Sequence, residues 1–227
     1  MGKTKAHIRY KNKDGVSIPG VTTVLNILNK PALIKWANNL GLRGIDSSKY
    51  RDKMGDIGTL AHLMILEHLS GKKQDYSEYS KDDIDKAENC LISFFEWEKT
   101  NKIEPILIEG QLISSLNFGG IVDCFCKLNG VETLIDFKTG KAIYPEMEYQ
   151  VAAYRQLIKE NLKKMDFNVR ILRIGRDENE GFEEKLCKNL DLNWDIFFYC
   201  LKIYETKNKV KNGSDDFYQF VREESKK

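Results

Sequence analysis

Two hydrophobic periods divide the chain, and the change falls at Pro105. Before it, apolar residues recur every three or four positions, the stripe of an amphipathic helix. After it they recur at every second position, the mark of a strand with one packed face. Residues 21–29 (VTTVLNILN) and 31–41 predict two short helices, with Thr22 or Thr23 able to cap the first and Pro31 placed to start the second. GTLAHLMILEHLSG, 58–71, predicts a helix closed by Gly71, on which His62, Leu66 and Leu69 share a stripe, so that His62 faces inward. A third helix, about 81–100, carries Ile84, Ala87, Leu91, Phe94 and Phe95 on its apolar face.

Beyond Pro105 the pattern predicts strands at about 106–114, at 119–128 starting from Gly119-Gly120, and at 132–138, with Asn129-Gly130 as the hairpin turn between the last two. The glycine pair marks a bend or a place where backbone is approached closely. A helix at about 147–163, a strand at 168–175, a weaker one near 182–187 and a last helix lined by Trp194, Phe197, Phe198, Leu201 and Tyr204 complete the order. With no repeat, low-complexity block or proline-rich linker, the expectation is one domain over 1–227. Its parts are a mainly helical 1–104, a sheet core over 105–190, and a C-terminal helix and tail over 191–227.

Composition narrows the class without naming a function. The chain has 41% hydrophobic and 31% charged residues, ordinary for a globular protein, and no apolar run approaches the roughly 18 to 20 residues of a membrane span. The N-terminus lacks the apolar block of a secretion signal, so an intracellular, cytoplasmic location is expected. Five cysteines, an odd number with no C-x-x-C pair, argue against a disulfide framework and against zinc or iron-sulfur knuckles, and Cys124 and Cys126 are read as strand packing.

Charge is unevenly placed. Residues 1–55 hold 11 Lys and Arg against 3 acids, whereas 56–109 hold 6 against 12. Tyr10, Trp36 and Tyr50 stand among the basic residues, the mixture that neutralises phosphates and stacks bases of a single strand; a solvated basic face over core aromatics has the same composition.

The candidate chemistry lies in LIDFKTGKAIYPEMEYQVAAY, 134–154. Strand alternation sends Asp136 and Lys138 to one side and Ile135 and Phe137 to the other. On open surface the pair would be an ordinary ion pair worth roughly 0 to 1 kcal/mol. Asp123, on the preceding strand, has apolar neighbours on both sides, and burying a lone carboxylate costs several kcal/mol, so it needs a partner. The hairpin brings Asp123 toward Asp136, and two adjacent carboxylates repel unless a cation or a proton joins them. Oxygen ligands suit Mg²⁺ or Mn²⁺, His62 could add a nitrogen, and Lys138 would sit where an ammonium stabilises charge on a phosphorus-bound oxygen. These are the parts of phosphodiester hydrolysis. Taken singly, the same side chains also make a buried polar network.

G-T-x-x-H (Gly58, Thr59, His62), G-G-x-x-D (Gly119, Gly120, Asp123), D-F-K-T-G (Asp136, Lys138) and Q-x-x-x-Y (Gln150, Tyr154), in this order and spacing, resemble the RecB-like branch of the PD-(D/E)xK nucleases. PGVTTVLNILNKPALIKW resembles the front of the phage and mitochondrial genome maintenance exonucleases of that branch, so the likeness spans roughly 18–158. It implies a restriction-endonuclease-like α/β fold, a mixed central sheet with an αβββαβ core flanked by helices and an N-terminal helical region.

The resemblance also implies roles. His62, Asp123, Asp136 and the Phe137 carbonyl correspond to ligands of Mg²⁺ or Mn²⁺, Lys138 to the catalytic lysine, and Gln150 and Tyr154 to residues that brace the site or touch the substrate. Glu109 is an acid that some relatives place near the metal. Thr59 in the G-T-x-x-H helix, and Lys30, Lys35, Trp36 and Arg43 in the basic front, are candidate substrate contacts. The iron-sulfur relatives carry a cysteine before the core and three near the C-terminus, a pattern this chain lacks. The implied activity is a DNA exonuclease acting on single-stranded ends in repair, recombination or replication, with DNA and a single-strand-binding or annealing protein as partners. The competing readings are a lambda-type double-strand exonuclease and a nucleic-acid-binding protein that keeps the fold without cleaving.

Overall fold

A computed structural model describes residues 9–177 and 180–211. Lys3 and Lys5 of the basic front and the tail from 212 lie outside the described residues. The chain opens with a small hairpin, β1 (Tyr10–Lys11) and β2 (Ser17–Ile18), then α1 (Val21–Leu25), α2 (Pro31–Leu42), α3 (Ser47–Ser70) and α4 (Lys81–Glu98). Strands β3 (Ile103–Ile113), β4 (Gly119–Leu128) and β5 (Val131–Thr139) follow, then α5 (Pro145–Leu162), β6 (Asn168–Ile174), β7 (Phe182–Leu186) and α6 (Leu190–Lys211). The five longer strands form one mixed sheet in the order β3-β4-β5-β6-β7, in which only the β5–β6 pair is parallel. The expected αβββαβ order is present, from α4 through β6.

Alternation along the strands builds two cores. Leu134, Val169 and Ile171 point to the side of α1, α5 and α6, while Ile135, Phe137, Leu172 and Ile174 point to the side of α3 and α4. Cys124 and Cys126 are buried on the α3–α4 side, and all five cysteines are free. Asn129 (φ 51°) and Gly130 (φ 84°) make the tight β4–β5 turn, both in the left-handed region that such a hairpin demands.

Several boundaries move. The first helix ends at Leu25 rather than at 29, and its N-cap is Gly20, not a threonine. A Cβ on Gly20 would lie 2.9 Å from the Tyr10 ring, so the hairpin packs where a larger residue would stand. The helix predicted from 58 begins eleven residues earlier, at Ser47, where the Asp46 carboxylate accepts from the Ser48 and Lys49 amides. Gly71 closes it with φ 67°, as the pattern predicts, and Pro31 stands in the first turn of α2. Among the described residues no helix is long and apolar enough to cross a membrane.

Candidate active site

The β4–β5 ladder stops at Cys124 and Ile135. Past that pair, β5 continues against β6 as far as Thr139, and β4 continues against β3 back to Gly119, so the sheet forks. Asp123 is the first residue of β4 inside the fork. Its Oδ2 accepts the Phe137 amide at 2.9 Å and so fills the place of a ladder carbonyl. Asp123 is held by the divergence of the strands rather than by regular pairing.

Both helical layers reach the fork. From α3, the His62 ring packs edge-on against Phe137, with centroids 6.2 Å apart, and its Nδ1 lies 3.8 Å from Asp123 Oδ2. From α5, Tyr154 accepts a 2.8 Å hydrogen bond from Gln150 one helical turn earlier. Gly58 and Gly120 make these approaches possible. A Cβ on Gly58 would stand 2.6 Å from Thr139 Oγ1, and one on Gly120 would stand 2.7 Å from the Tyr154 ring.

Asp136 is 1% exposed. The Lys138 ammonium is 2.5 Å from its Oδ2, yet the approach lacks hydrogen-bonding geometry and neither carboxylate oxygen accepts a hydrogen bond. Burial pushes the Asp136 carboxyl up to about 6; Lys138 and His62 pull it down, and the neighbouring Asp123 adds to the rise. Burial likewise holds the Tyr154 hydroxyl well above its ordinary range, with Asp136 and Asp123 adding to the effect. It is a neutral hydrogen-bonding group at any working pH.

A cleft of about 510 Å³ opens on the fork, lined by Thr59, His62, Glu109, Asp123, Lys138 and Tyr154 together with Gly58, Phe137 and Thr139. Glu109 falls between the pairs Ile108–Cys124 and Gly110–Val122, opposite Asp123, and has φ 46°, a conformation that a non-glycine residue adopts at a cost of about 1 to 3 kcal/mol. Its carboxylate is thereby set at the cleft wall.

The basic-front candidates lie elsewhere. None of Lys30, Lys35, Trp36 and Arg43 lines the cleft. Lys30 is 3.6 Å from Glu146 at the start of α5, the Trp36 ring lies 6.1 Å from that of Tyr50, and Lys35 and Arg43 are exposed on and just after α2. Gln150 does not line the cleft either and reaches it through Tyr154. Sequence reasoning missed Arg176, Met54 and Thr139, which do line it. For Arg176 the usable signal was its place just beyond β6, the parallel neighbour of the strand bearing Asp136, but the register that brings it to the cleft is not written in its own segment. A larger hollow of about 900 Å³ between the N-terminal hairpin and α6 holds none of the predicted residues.

The donor set fits a hard divalent cation. Two neighbouring carboxylates, Asp123 and the buried Asp136, face one close ammonium, that of Lys138, and neither Asp136 oxygen accepts a hydrogen bond, so there is negative charge left for a cation to offset. Among the described residues no group of three or more His, Cys, Asp and Glu side chains is gathered into a metal cage.

No family model matches the chain, and no curated protein matches it. Solved structures similar to it include a candidate exonuclease from Eubacterium rectale, 10% identical with a TM-score of 0.45, covering 69% of this chain and 68% of that one. Another is the protein SSO0001, 9% identical with a TM-score of 0.29, covering 65% of this chain and 73% of that one. Likenesses this distant lend the cleft no activity, so its reading rests on its own residues.

Proposed function

We propose that the chain is a deoxyribonuclease that uses Mg²⁺ or Mn²⁺ to trim DNA from single-stranded ends. The observation that carries this reading is the fork, where Asp123 and Lys138 line one cleft and Asp136, which does not line it, lies buried with its Oδ2 2.5 Å from the Lys138 ammonium and neither oxygen accepting a hydrogen bond. The order of motifs through Gly58, Thr59, His62, Asp123, Asp136, Lys138, Gln150 and Tyr154, which resembles that of RecB-like nucleases, supports it. Asp123, Asp136 and the Phe137 carbonyl would hold the cation, with His62 at the rim and Glu109 facing from β3. When bound, the cation supplies charge that polarises a phosphodiester and makes a water easier to deprotonate.

The remaining work falls to the chain's own groups. Lys138 is a fixed positive charge 2.5 Å from Asp136, placed to stabilise the negative charge that gathers on phosphorus-bound oxygens as the ester bond breaks. Tyr154, neutral and steadied by Gln150, presents a hydroxyl at the inner wall of the cleft. Thr59 and Lys138 line the cleft for the DNA backbone, and the exposed Lys35 of α2 and Arg43 just after it would guide the strand toward it.

The test is digestion of 5′- and 3′-labelled single-stranded and duplex DNA in Mg²⁺, Mn²⁺ or EDTA, comparing wild type with Asp136→Ala and Lys138→Ala. Cation-dependent cleavage lost in both folded variants upholds the reading, and the label pattern gives polarity. Wild type that binds DNA but leaves every substrate intact in both metals sinks it.

A further inference from the structure

Helix α6 has two apolar faces, and among the described residues only one is covered. Trp194, Phe197, Cys200 and Leu201 pack into the core beside α1 and α5. On another side Leu192 (65% exposed), Tyr199 (65%), Ile203 (49%) and Val210 (65%) form a second stripe, completed by Ile196, which is half-buried and also packs against the core, and by Thr206. The positions 192, 196, 199, 203, 206 and 210 advance by alternating steps of four and three, the seam of a coiled coil and not a scatter of exposed residues. The seam is about 27 Å long at 1.5 Å per residue. It shares no residue with the cleft on the β4–β5 fork.

This spacing is symmetric about residue 201. Laid antiparallel against itself, the seam sets Leu192 against Val210 of the second copy, Ile196 against Thr206, and Tyr199 against Ile203, so every layer is filled and the fit is isologous. Charge distinguishes the directions. Antiparallel pairing places Asp195 opposite Lys209, whereas parallel pairing would place Lys202 opposite Lys207. Lys202 meets its own counterpart near the axis, but each ammonium is already bonded to Glu205 of its own helix at 3.0 Å and lies 5.2 Å from the centroid of the Phe198 ring. We propose that α6 is the surface through which two copies of this chain pair, antiparallel about a twofold axis at residue 201. A single-helix seam is at the small end of specific interfaces, so pairing is concentration-dependent, with a Kd on the order of micromolar.

Sedimentation equilibrium of the full chain, from roughly 1 to 100 μM, tests it. The expected mass rises from 26.3 kDa toward twice that value with concentration. Tyr199→Lys with Ile203→Lys, both at exposed positions, should keep the wild-type circular dichroism and stay monomeric at every concentration. Asp195→Lys and Lys209→Asp should each raise Kd about tenfold by setting like charges together, and an equimolar mixture of the two should recover wild-type affinity as a heterodimer. A wild type monomeric throughout, with the seam in solvent or under another part of its own chain, overturns the proposal. So does a dimer that survives the double lysine variant, or a mixture that pairs no better than its components.

Discussion

The Phe137 amide donates to Asp123 Oδ2 at 2.9 Å across the point where β4 and β5 part. One carboxylate thus does two jobs: it satisfies a backbone donor left without a ladder partner, and it presents negative charge to the cleft. The two separate on substitution. Asp123→Asn keeps an acceptor for the amide and should unfold within about 1 kcal/mol of wild type, while Asp123→Ala orphans a buried N–H and should lose about 1 to 3 kcal/mol. Both should lower DNA cleavage by at least about a hundredfold, since both remove the charge. Denaturant unfolding beside a cleavage assay checks this, and an active Asp123→Asn would remove Asp123 from the chemistry.

Asp136 gives the fold a pH dependence of unusual sign. Burial raises its pKa from the ordinary 3.8 to about 6, so the folded state holds the proton more tightly than the unfolded state does. The corresponding stability is fully present below pH 4 and is lost as pH rises through 6, a difference on the order of 3 kcal/mol. In EDTA, wild type should melt at higher temperature at pH 5 than at pH 7.5. Asp136→Asn should remove this difference and be the more stable protein at pH 7.5. Mg²⁺ or Mn²⁺ should stabilise wild type at pH 7.5 and leave Asp136→Asn unmoved. Equal melting shifts in both proteins would place the cation elsewhere.

The elements on which the site stands were legible because each carries a strong local pattern. The β4 boundaries, the Asn129-Gly130 turn and the Gly71 stop follow from alternation and from residues that tolerate left-handed backbone. The first turns of α3 were not, because residues 47–57 are mostly polar and exposed, and only the Asp46 cap announces them. The β1–β2 hairpin was missed although Asp14-Gly15 is a turn signal, because strands of two residues show no period. Of the candidate site, His62, Asp123, Asp136 and Lys138 could be singled out from their segments, and of these His62, Asp123 and Lys138 line the cleft. The fork could not, because it is a relation between two strands: nothing in either says that pairing ends at Cys124 and Ile135.

Close approach at Gly58 makes a test that touches no charged group. Gly58→Ala puts a methyl 2.6 Å from Thr139 Oγ1 and should push α3, and His62 with it, away from β5. The expected result is a loss of about 1 to 3 kcal/mol in stability and a fall in cleavage of tenfold or more. Adding Thr139→Ala removes the oxygen that the methyl meets and should restore most of both. A double variant no better than Gly58→Ala would show that the contact does not set the helix position.

Arg176 is one of the cleft residues that sequence reasoning overlooked, and its surroundings fix its orientation. Its amide and Nε donate to Glu180 Oε2 at 3.0 and 2.8 Å, and its Nη2 bonds Oε1. The Asn89 side chain donates to its carbonyl at 3.3 Å. Two of the five guanidinium N–H groups are thereby used, on a side chain that is only 12% exposed and lines the cleft with Lys138 and His62. A fork so held is suited to a phosphate oxygen of the bound strand. Arg176→Gln alone would leave Glu180 buried without its cation, so the informative variant is Arg176→Gln with Glu180→Gln, which keeps a neutral hydrogen-bonding pair. KM for single-stranded DNA should rise about tenfold with kcat nearly unchanged, the mark of lost ground-state binding. The slope of log affinity against log salt should fall by about 0.7, one phosphate's share for a single strand. Unchanged KM and salt slope in a folded, active double variant would leave Arg176 as a staple of the β6–β7 loop and nothing more.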